Sequence, residues 1–180
     1  KAIHESSGSV IVRLDIHTEY DYNYIKNCVK TLKNSNYSCI GGPWRAESRN
    51  FIQKSITFAF QSRLCAGGAL SRDLKYRGVV DTVYLGCWYK KYLLKIGCFD
   101  ENLIRNQDDE LCHRIRLNDG IIFQDPSIIS YYYPRSSFYN LFKQYLQYGF
   151  WRLPVIMKNP SKLSFRHLLP LLLVFLSFFS

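Results

Sequence analysis

Short apolar segments alternate with amphipathic, helix-like segments along most of this chain, and this alternation restricts the possible folds more than any other feature. Apolar residues two apart indicate strands, whereas a spacing of three and four indicates helices. The predicted strands cover residues 10–14, 37–40, 81–88, 121–124 and 128–133, and the predicted helices cover 22–34, 48–62, 90–96 and 108–118. The alternation predicts one α/β domain with a mixed sheet flanked by helices.

Glycine and cysteine positions add detail to this prediction. Gly41-Gly42-Pro43 predicts a turn after the strand 37–40, and Gly97 predicts the end of the helix 90–96. The six cysteines include no CxxC pair, which argues against zinc-ribbon and thioredoxin-like sites. We interpret them as buried thiols of a protein in a reducing compartment.

The charge of the chain is strongly positive and unevenly distributed. Its 180 residues carry a formal net charge of +10, from 24 Lys and Arg against 14 Asp and Glu. An apolar content of 47% excludes intrinsic disorder. Residues 126–180 contain no acidic residue but many aromatic ones. Such a segment is typical of contact with nucleic acid, a membrane surface or an anionic substrate, and composition leaves all three open.

The apolar run LLPLLLVFLSFF at residues 168–179 is shorter than the ~20 residues that span a bilayer. It fits either a buried core helix or the first part of a transmembrane helix. Basic residues at Lys158, Lys162 and Arg166 precede it, as cytoplasmic flanking charges do in membrane proteins. The run therefore favours a truncated transmembrane helix.

Three regions follow from these patterns. We expect an α/β domain at 1–135, a basic and aromatic interfacial segment at 136–166, and the truncated transmembrane helix at 167–180. The chain opens without Met and enters its first apolar strand within a few residues. We therefore expect the domain to be the later part of a longer one.

A candidate metal site follows the first predicted strand, at Asp15-Ile16-His17. Ligands of α/β proteins bind at the carboxyl ends of strands. Carboxylate oxygen and imidazole nitrogen suit Mg²⁺ or Mn²⁺ bound together with substrate phosphates. The alternative is a solvated aspartate that caps the helix beyond it.

A second candidate site is the acidic run Asp108-Asp109-Glu110 at the start of the helix 108–118. The structural interpretation is that carboxylates stabilise a helix N-terminus through its dipole. Carboxylates this close also repel one another, which favours proton uptake by one of them and so general-base catalysis.

The third candidate is the segment QYGFWR at 147–152, which follows a basic, tyrosine-rich stretch. Flat aromatic faces stack on sugar rings, and amide and guanidinium groups bind hydroxyls or phosphates. The alternative is an interfacial helix whose aromatic residues sit at headgroup depth. Both interpretations can hold at once.

Three runs of the chain, VDTVYLGCW, GCFDENLIRNQDDELCHRIRLNDG and YYYPRSSFYNLFKQYLQYGFWR, together resemble the family 2 inverting glycosyltransferases. The nearest subgroup is the membrane-bound succinoglycan-biosynthesis-type glucosyltransferases of bacterial exopolysaccharide pathways. The resemblance covers about residues 8–152, with the motifs in the family's order. It implies a GT-A-like fold, of which the N-terminal nucleoside-binding strands precede Asp15 and are absent.

The resemblance implies roles for the first two candidate sites. Asp15 matches the family's D-x-D-like segment and faces the donor diphosphate, and His17 helps it to coordinate Mg²⁺ or Mn²⁺. Asp108 matches the catalytic base. The glutamate that precedes this base in the family is Gln107 here, so carboxylate support and acceptor contacts fall to Asp109 or Glu110.

The resemblance also assigns the third site. Gln147 and Trp151 match a Q-x-x-R-W motif whose Trp stacks near the acceptor. Phe150 stands where the motif has Arg, so donor phosphate binding falls to Arg152 and processivity is in doubt.

The implied function is inverting transfer of a sugar from a nucleotide-sugar donor, with UDP-sugar expected, to a lipid-linked saccharide acceptor. The expected location is the bacterial inner membrane, with the catalytic part facing the cytoplasm and no nucleic-acid partner. The fragment is expected to be inactive alone. The alternative function is a non-enzymatic basic and aromatic module that binds nucleic acid or a membrane surface.

Overall fold

The computed structural model of the protein describes residues 1–62 and 69–158. The helices of this part are α1 (Ala2–Glu5), α2 (Tyr24–Lys33), α3 (Phe51–Gln61), α4 (Lys90–Lys95), α5 (Gln107–Leu117) and α6 (Phe138–Lys158), with a short 3-10 turn at Leu70–Arg72. The strands are β1 (Val10–Val12), β2 (Thr18–Tyr20), β3 (Cys39–Gly42), β4 (Arg45–Ala46), β5 (Gly78–Val79), β6 (Tyr84–Tyr89), β7 (Ile122–Gln124) and β8 (Ser130–Tyr132).

The strands form two mixed sheets. The larger has five strands in the order β1-β6-β3-β7-β5, in which β3 and β7 are parallel and the other neighbours antiparallel. The smaller has three strands in the order β2-β8-β4, with β2 antiparallel and β4 parallel to β8. The predicted α/β class with a mixed sheet flanked by helices is confirmed.

Helices cover both faces of the larger sheet because successive strand residues point to opposite sides. In β3, the side chain of Cys39 packs with Leu93 of α4 and Leu111 of α5. Its neighbour Ile40 packs on the other side with Leu32 of α2. Each fully buried leucine contributes about 2 kcal/mol by removing apolar surface from water. The core is therefore two apolar layers with the sheet between them.

The predicted turn at Gly41-Gly42 is wrong, because both glycines lie inside β3. A Cβ atom on Gly42 would lie 1.9 Å from the backbone oxygen of Ile128, and one on Gly41 would lie 2.8 Å from the Cβ of Val83. Glycine is thus required here by close approach of neighbouring chain segments rather than by a turn. The strands β2, β4 and β5, of two or three residues each, were not predicted.

The end of α4 matches its prediction. Gly97 has a φ of 92°, and its N–H bonds to the carbonyl of Leu94 while that of Cys98 bonds to Leu93. This pair of bonds satisfies the last carbonyls of the helix in a Schellman motif.

Within the predicted interfacial segment 136–166, the chain forms the long helix α6 from Phe138 to Lys158. Among the helices of the described part, none is both long and apolar enough to cross a bilayer. Residues 159–166 of the predicted interfacial segment, and the transmembrane helix predicted at 167–180, lie outside the described residues.

Candidate active site

A cavity of about 430 Å³ lies between the two sheets' edges, the start of α5 and one side of α6. Its charged lining residues are Arg13, Asp15, Arg72, Arg105, Asp108 and Asp109. Its aromatic lining residues are Trp44, Phe60, Tyr84, Tyr132, Tyr145 and Tyr148. The structure thus brings the predicted metal and base segments, which are far apart in sequence, to one cavity.

Asp15 enters the cavity from the loop after β1. Its backbone carbonyl accepts hydrogen bonds from the Tyr20 hydroxyl, at 3.0 Å, and from the N–H of Thr18, at 3.2 Å. Its Oδ1 accepts the N–H of His17 at 2.9 Å, so the side chain also closes a local turn. These bonds hold one carboxylate of the predicted metal site at the cavity wall.

His17 is exposed and is not among the residues that line the cavity. Within residues 1–62 and 69–158, no group of three or more His, Cys, Asp or Glu side chains is placed to hold a metal. A magnesium ion that arrives with a diphosphate needs only one or two protein carboxylates. Asp15 fits that limited role, and the metal ligands Asp15 and His17 stay a prediction.

Asp108 lies in the first turn of α5, which begins after Asn106. Asn106 adopts a left-handed conformation with a φ of 62°, which asparagine tolerates better than most residues. The Oδ1 of Asp108 accepts the N–H of Asp109 at 3.0 Å, and its Oδ2 lies 3.8 Å from Nη1 of Arg13. The half-exposed carboxylate is therefore held at the cavity wall by backbone and cation together.

Asp109 and Glu110 have different surroundings although they are adjacent. Asp109 lines the cavity and forms an ion pair with Arg152 of α6. Glu110 is buried and accepts two hydrogen bonds from Arg114, at 2.9 and 2.6 Å. Arg114 also donates to the carbonyl of Cys98 at 2.8 Å. The Glu110–Arg114 pair thus ties α5 to the turn after α4.

These pairs bear on two predicted roles. The Glu110 bond raises the pKa of the Arg114 guanidinium, so Glu110 serves the fold, and its predicted acceptor contact stays a prediction. Arg152 is engaged with Asp109 and is not part of the cavity lining, and its predicted diphosphate contact likewise stays a prediction.

The α6 side of the cavity uses other residues than those the sequence indicated. Gln144, Tyr145 and Tyr148 line the cavity, whereas Gln147 and Trp151 do not. Gln144 donates a hydrogen bond to the Tyr148 hydroxyl at 2.8 Å. Residues 144, 145 and 148 of the helix therefore face the cavity, and the acceptor contacts of Gln147 and Trp151 stay a prediction.

Trp44, Tyr84 and Tyr132 form what we call the aromatic wall of the cavity. The ring centroids of Trp44 and Tyr132 are 5.0 Å apart, and those of Tyr84 and Tyr132 are 6.3 Å apart. Burial raises the pKa of both tyrosines, so they are neutral hydroxyl groups at physiological pH. Such a surface can stack on a sugar ring while its hydroxyls bind polar groups.

Sequence reasoning identified the tyrosine-rich stretch but missed Trp44 and Tyr84. Trp44 directly follows the Gly41-Gly42-Pro43 run, which is the one local signal that marked it. Tyr84 begins β6, next to Leu85, whose φ of 60° is rare for a leucine. The pairing of β3 with β6 shifts register at this point, and register shifts of this kind change the direction of neighbouring side chains.

Comparison with known proteins finds a curated relative whose sequence matches most of this chain. No protein-family model matches it. The chain is 24% identical over 166 residues to the succinoglycan biosynthesis protein ExoA of Rhizobium meliloti (strain 1021), a match that covers 92% of this chain and 50% of that protein. The chain thus spans about half the length of the curated relative that it resembles.

Proposed function

We propose that this chain is the acceptor-side and metal-side part of a glycosyltransferase of exopolysaccharide biosynthesis. The observation that carries the proposal is the single cavity that joins Asp15, Asp108 and an aromatic wall. The likeness to a protein named for succinoglycan biosynthesis supports it. Because the chain spans half of that relative, the proposed activity belongs to the complete natural protein. Assignment to family 2, with its GT-A fold and inverting mechanism, is part of the proposal.

The proposed reaction is a single displacement at the anomeric carbon of the donor sugar. The acceptor oxygen forms a bond to that carbon while the bond to the diphosphate oxygen breaks, and Asp108 takes the proton of the acceptor hydroxyl. Its carboxylate suits this role because it is held at the cavity wall yet half exposed. An α-linked donor then gives a β-linked product.

The donor side of the proposal rests on Asp15, which would hold Mg²⁺ or Mn²⁺ together with His17. When bound, the ion neutralises the departing diphosphate. We propose a UDP-sugar as donor and a lipid-linked saccharide as acceptor. The aromatic wall suits a sugar ring because each of its members presents an aromatic face or a neutral hydroxyl.

The segment around α6 supports a membrane location. Phe138, Phe142, Leu146 and Phe150 are exposed large apolar residues at intervals of four, so they lie along one side of the helix. Val155 is fully buried and Gln144 nearly so, which shows that the apolar side faces away from the domain. Exposed aromatic residues in the acid-free segment 126–180 match an interfacial helix on an anionic membrane.

We therefore propose that the domain lies on the cytoplasmic face of a bacterial inner membrane. Sedimentation of the complete protein with vesicles that contain anionic lipid tests this part, and failure to bind them would contradict it. The nucleic-acid alternative predicts binding that weakens steeply with salt and survives the loss of Asp108.

The decisive experiment is Asp108→Asn in the complete protein, assayed with a panel of nucleotide sugars, Mg²⁺ or Mn²⁺, and membranes. Loss of a general base lowers kcat by roughly 10²- to 10⁴-fold, whereas donor binding should stay unchanged. The matched control is Asp119→Asn, which removes a carboxylate two residues beyond the end of α5 and should leave transfer intact. Full transfer by the Asp108 variant would refute the proposal.

A further inference from the structure

Arg72 is a cavity residue that none of the predicted motifs contains. It ends the 3-10 turn at Leu70–Arg72, and its guanidinium carbon lies 4.2 Å from the ring centroid of Trp44 and 5.8 Å from that of Phe60. Stacking of this kind fixes the plane of the guanidinium and leaves its N–H edge open. The side chain lines the same cavity as Asp15 and Asp108.

The polar edge of Arg72 is unused within the described part of the chain. None of the ion pairs between described residues involves Arg72, and its two ring contacts place the guanidinium carbon over Trp44 and Phe60. Burial lowers the pKa of this guanidinium, because a less polar environment disfavours the charged form.

The other cavity cations differ from Arg72. Arg13 lies 3.8 Å from Asp108, so a carboxylate already compensates it. The guanidinium carbon of Arg105 lies 5.7 Å from the ring centroid of Tyr148. Among the cavity cations that the structure describes, only Arg72 has two rings beside its guanidinium. Arg72 is thus the cavity cation best prepared to receive an anion, since a planar guanidinium can bind two phosphate oxygens at once.

We propose that Arg72, oriented by Trp44 and Phe60, is a phosphate-binding subsite for a diphosphate-bearing sugar substrate. This inference rests on the proposed function and adds a ligand contact to it. The sugar of that substrate lies against the aromatic wall, where Trp44 contacts both Arg72 and Tyr132. The diphosphate belongs to either the nucleotide donor or the lipid-linked acceptor.

Direct binding measurements on the complete protein test the subsite without requiring turnover. Calorimetric titration with UDP and with geranyl diphosphate, each in the presence of Mg²⁺, separates the two sources. Arg72→Gln should weaken at least one of these ligands by roughly 10- to 100-fold, the range of a charge-assisted hydrogen-bonded contact. Loss of UDP binding alone assigns the donor, and loss of geranyl diphosphate binding alone assigns the acceptor.

Two further variants separate a specific loss of phosphate binding from a general loss of positive charge. Arg72→Lys keeps the positive charge but not the stacked plane, so it should bind more weakly than wild type and more tightly than Arg72→Gln. Arg116→Gln removes the same charge from an exposed position of α5 and should bind both ligands as wild type does. Unchanged affinity of both ligands in folded Arg72→Gln or Arg72→Lys protein would overturn the proposal.

The failure of this inference is distinguishable from failure of the proposed function. If Asp108→Asn abolishes sugar transfer while the Arg72 variants bind normally, the enzyme assignment stands and the subsite does not. If the complete protein transfers no sugar, yet Arg72→Gln loses diphosphate binding, the subsite stands alone.

Discussion

The two sides of the cavity are assembled in different ways. Its acidic wall, Asp15 with Asp108 and Asp109, comes from two short segments at a strand end and a helix start. The aromatic wall of Trp44, Tyr84 and Tyr132 comes from residues next to β3, in β6 and in β8. The groups proposed for chemistry thus sit in local motifs, whereas the groups proposed to recognise a substrate depend on how the sheets meet.

The first and largest expected effect concerns the support of the aromatic wall. Gly42→Ala would place a Cβ atom 1.9 Å from the backbone oxygen of Ile128, so the backbone beside Trp44 must shift. We expect a loss of about 3 kcal/mol in the free energy of unfolding, measured by urea denaturation.

The matched control for this change is Gly149→Ala in α6, where an added Cβ meets no atom within 4 Å. Alanine there should stabilise the helix by up to about 1 kcal/mol. If Gly42→Ala were as stable as wild type, the close packing of β3 against the chain at Ile128 would not support the wall.

A change in the aromatic wall itself should alter substrate binding more than chemistry. Trp44→Ala removes ring contacts with Tyr132 at 5.0 Å and Phe60 at 4.8 Å. With about 1 kcal/mol lost for each aromatic contact made to the sugar, KM for the sugar substrate should rise roughly tenfold while kcat changes little. Steady-state kinetics decide the question, and Trp44→Phe should fall between Trp44→Ala and wild type. If Trp44→Ala lowered kcat and left KM unchanged, the aromatic wall would not have a binding role distinct from that of the acidic wall.

The smallest effect concerns Asp125, which lies between β7 and the β8 strand that carries Tyr132. Burial opposes ionisation of its carboxyl, but bonds from Ser127 and Thr31 and the charge of Arg77 outweigh it and lower its pKa. A lowered folded-state pKa gives stability that is present above the unfolded value and lost as pH falls through the folded value.

Asp125→Asn should therefore destabilise the protein by about 1 kcal/mol at pH 7, and its difference from wild type should shrink below about pH 4. Thermal unfolding across this pH range measures the difference. Asp81→Asn is the control, because Asp81 is exposed and has no ion pair in the described part of the chain. A difference that grows on acidification would contradict the assigned bonds.

Local patterns predicted the elements whose causes are local. The helix at 108–118 matches α5 (Gln107–Leu117) closely, because its acidic first turn and apolar spacing act within one helix. The Gly97 stop was predicted for the same reason. Gly41-Gly42 was misinterpreted because the atoms that require glycine there belong to Val83 and Ile128, which are distant in sequence.

The residues of the candidate site show the same difference between local and distant causes. Asp15 and Asp108 were recognisable because each stands in a short motif at the edge of a predicted element. Arg72 carried no such signal and Trp44 had only the glycine run before it, since their significance lies in the 4.2 Å between the Arg72 guanidinium carbon and the Trp44 ring centroid. Glu110 looked equivalent to its acidic neighbours, yet it is buried against Arg114.

By itself, the sequence determined the α/β class, the order of most helices and strands, and the carboxylates offered to chemistry, because periodicity and helix-end charge act over a few residues. Only the tertiary structure decided which of those carboxylates share a cavity, which side of α6 faces it, and which cavity arginine lies near the rings of both Trp44 and Phe60. Those outcomes depend on contacts between segments far apart in the chain, and such contacts leave no periodic trace in the sequence.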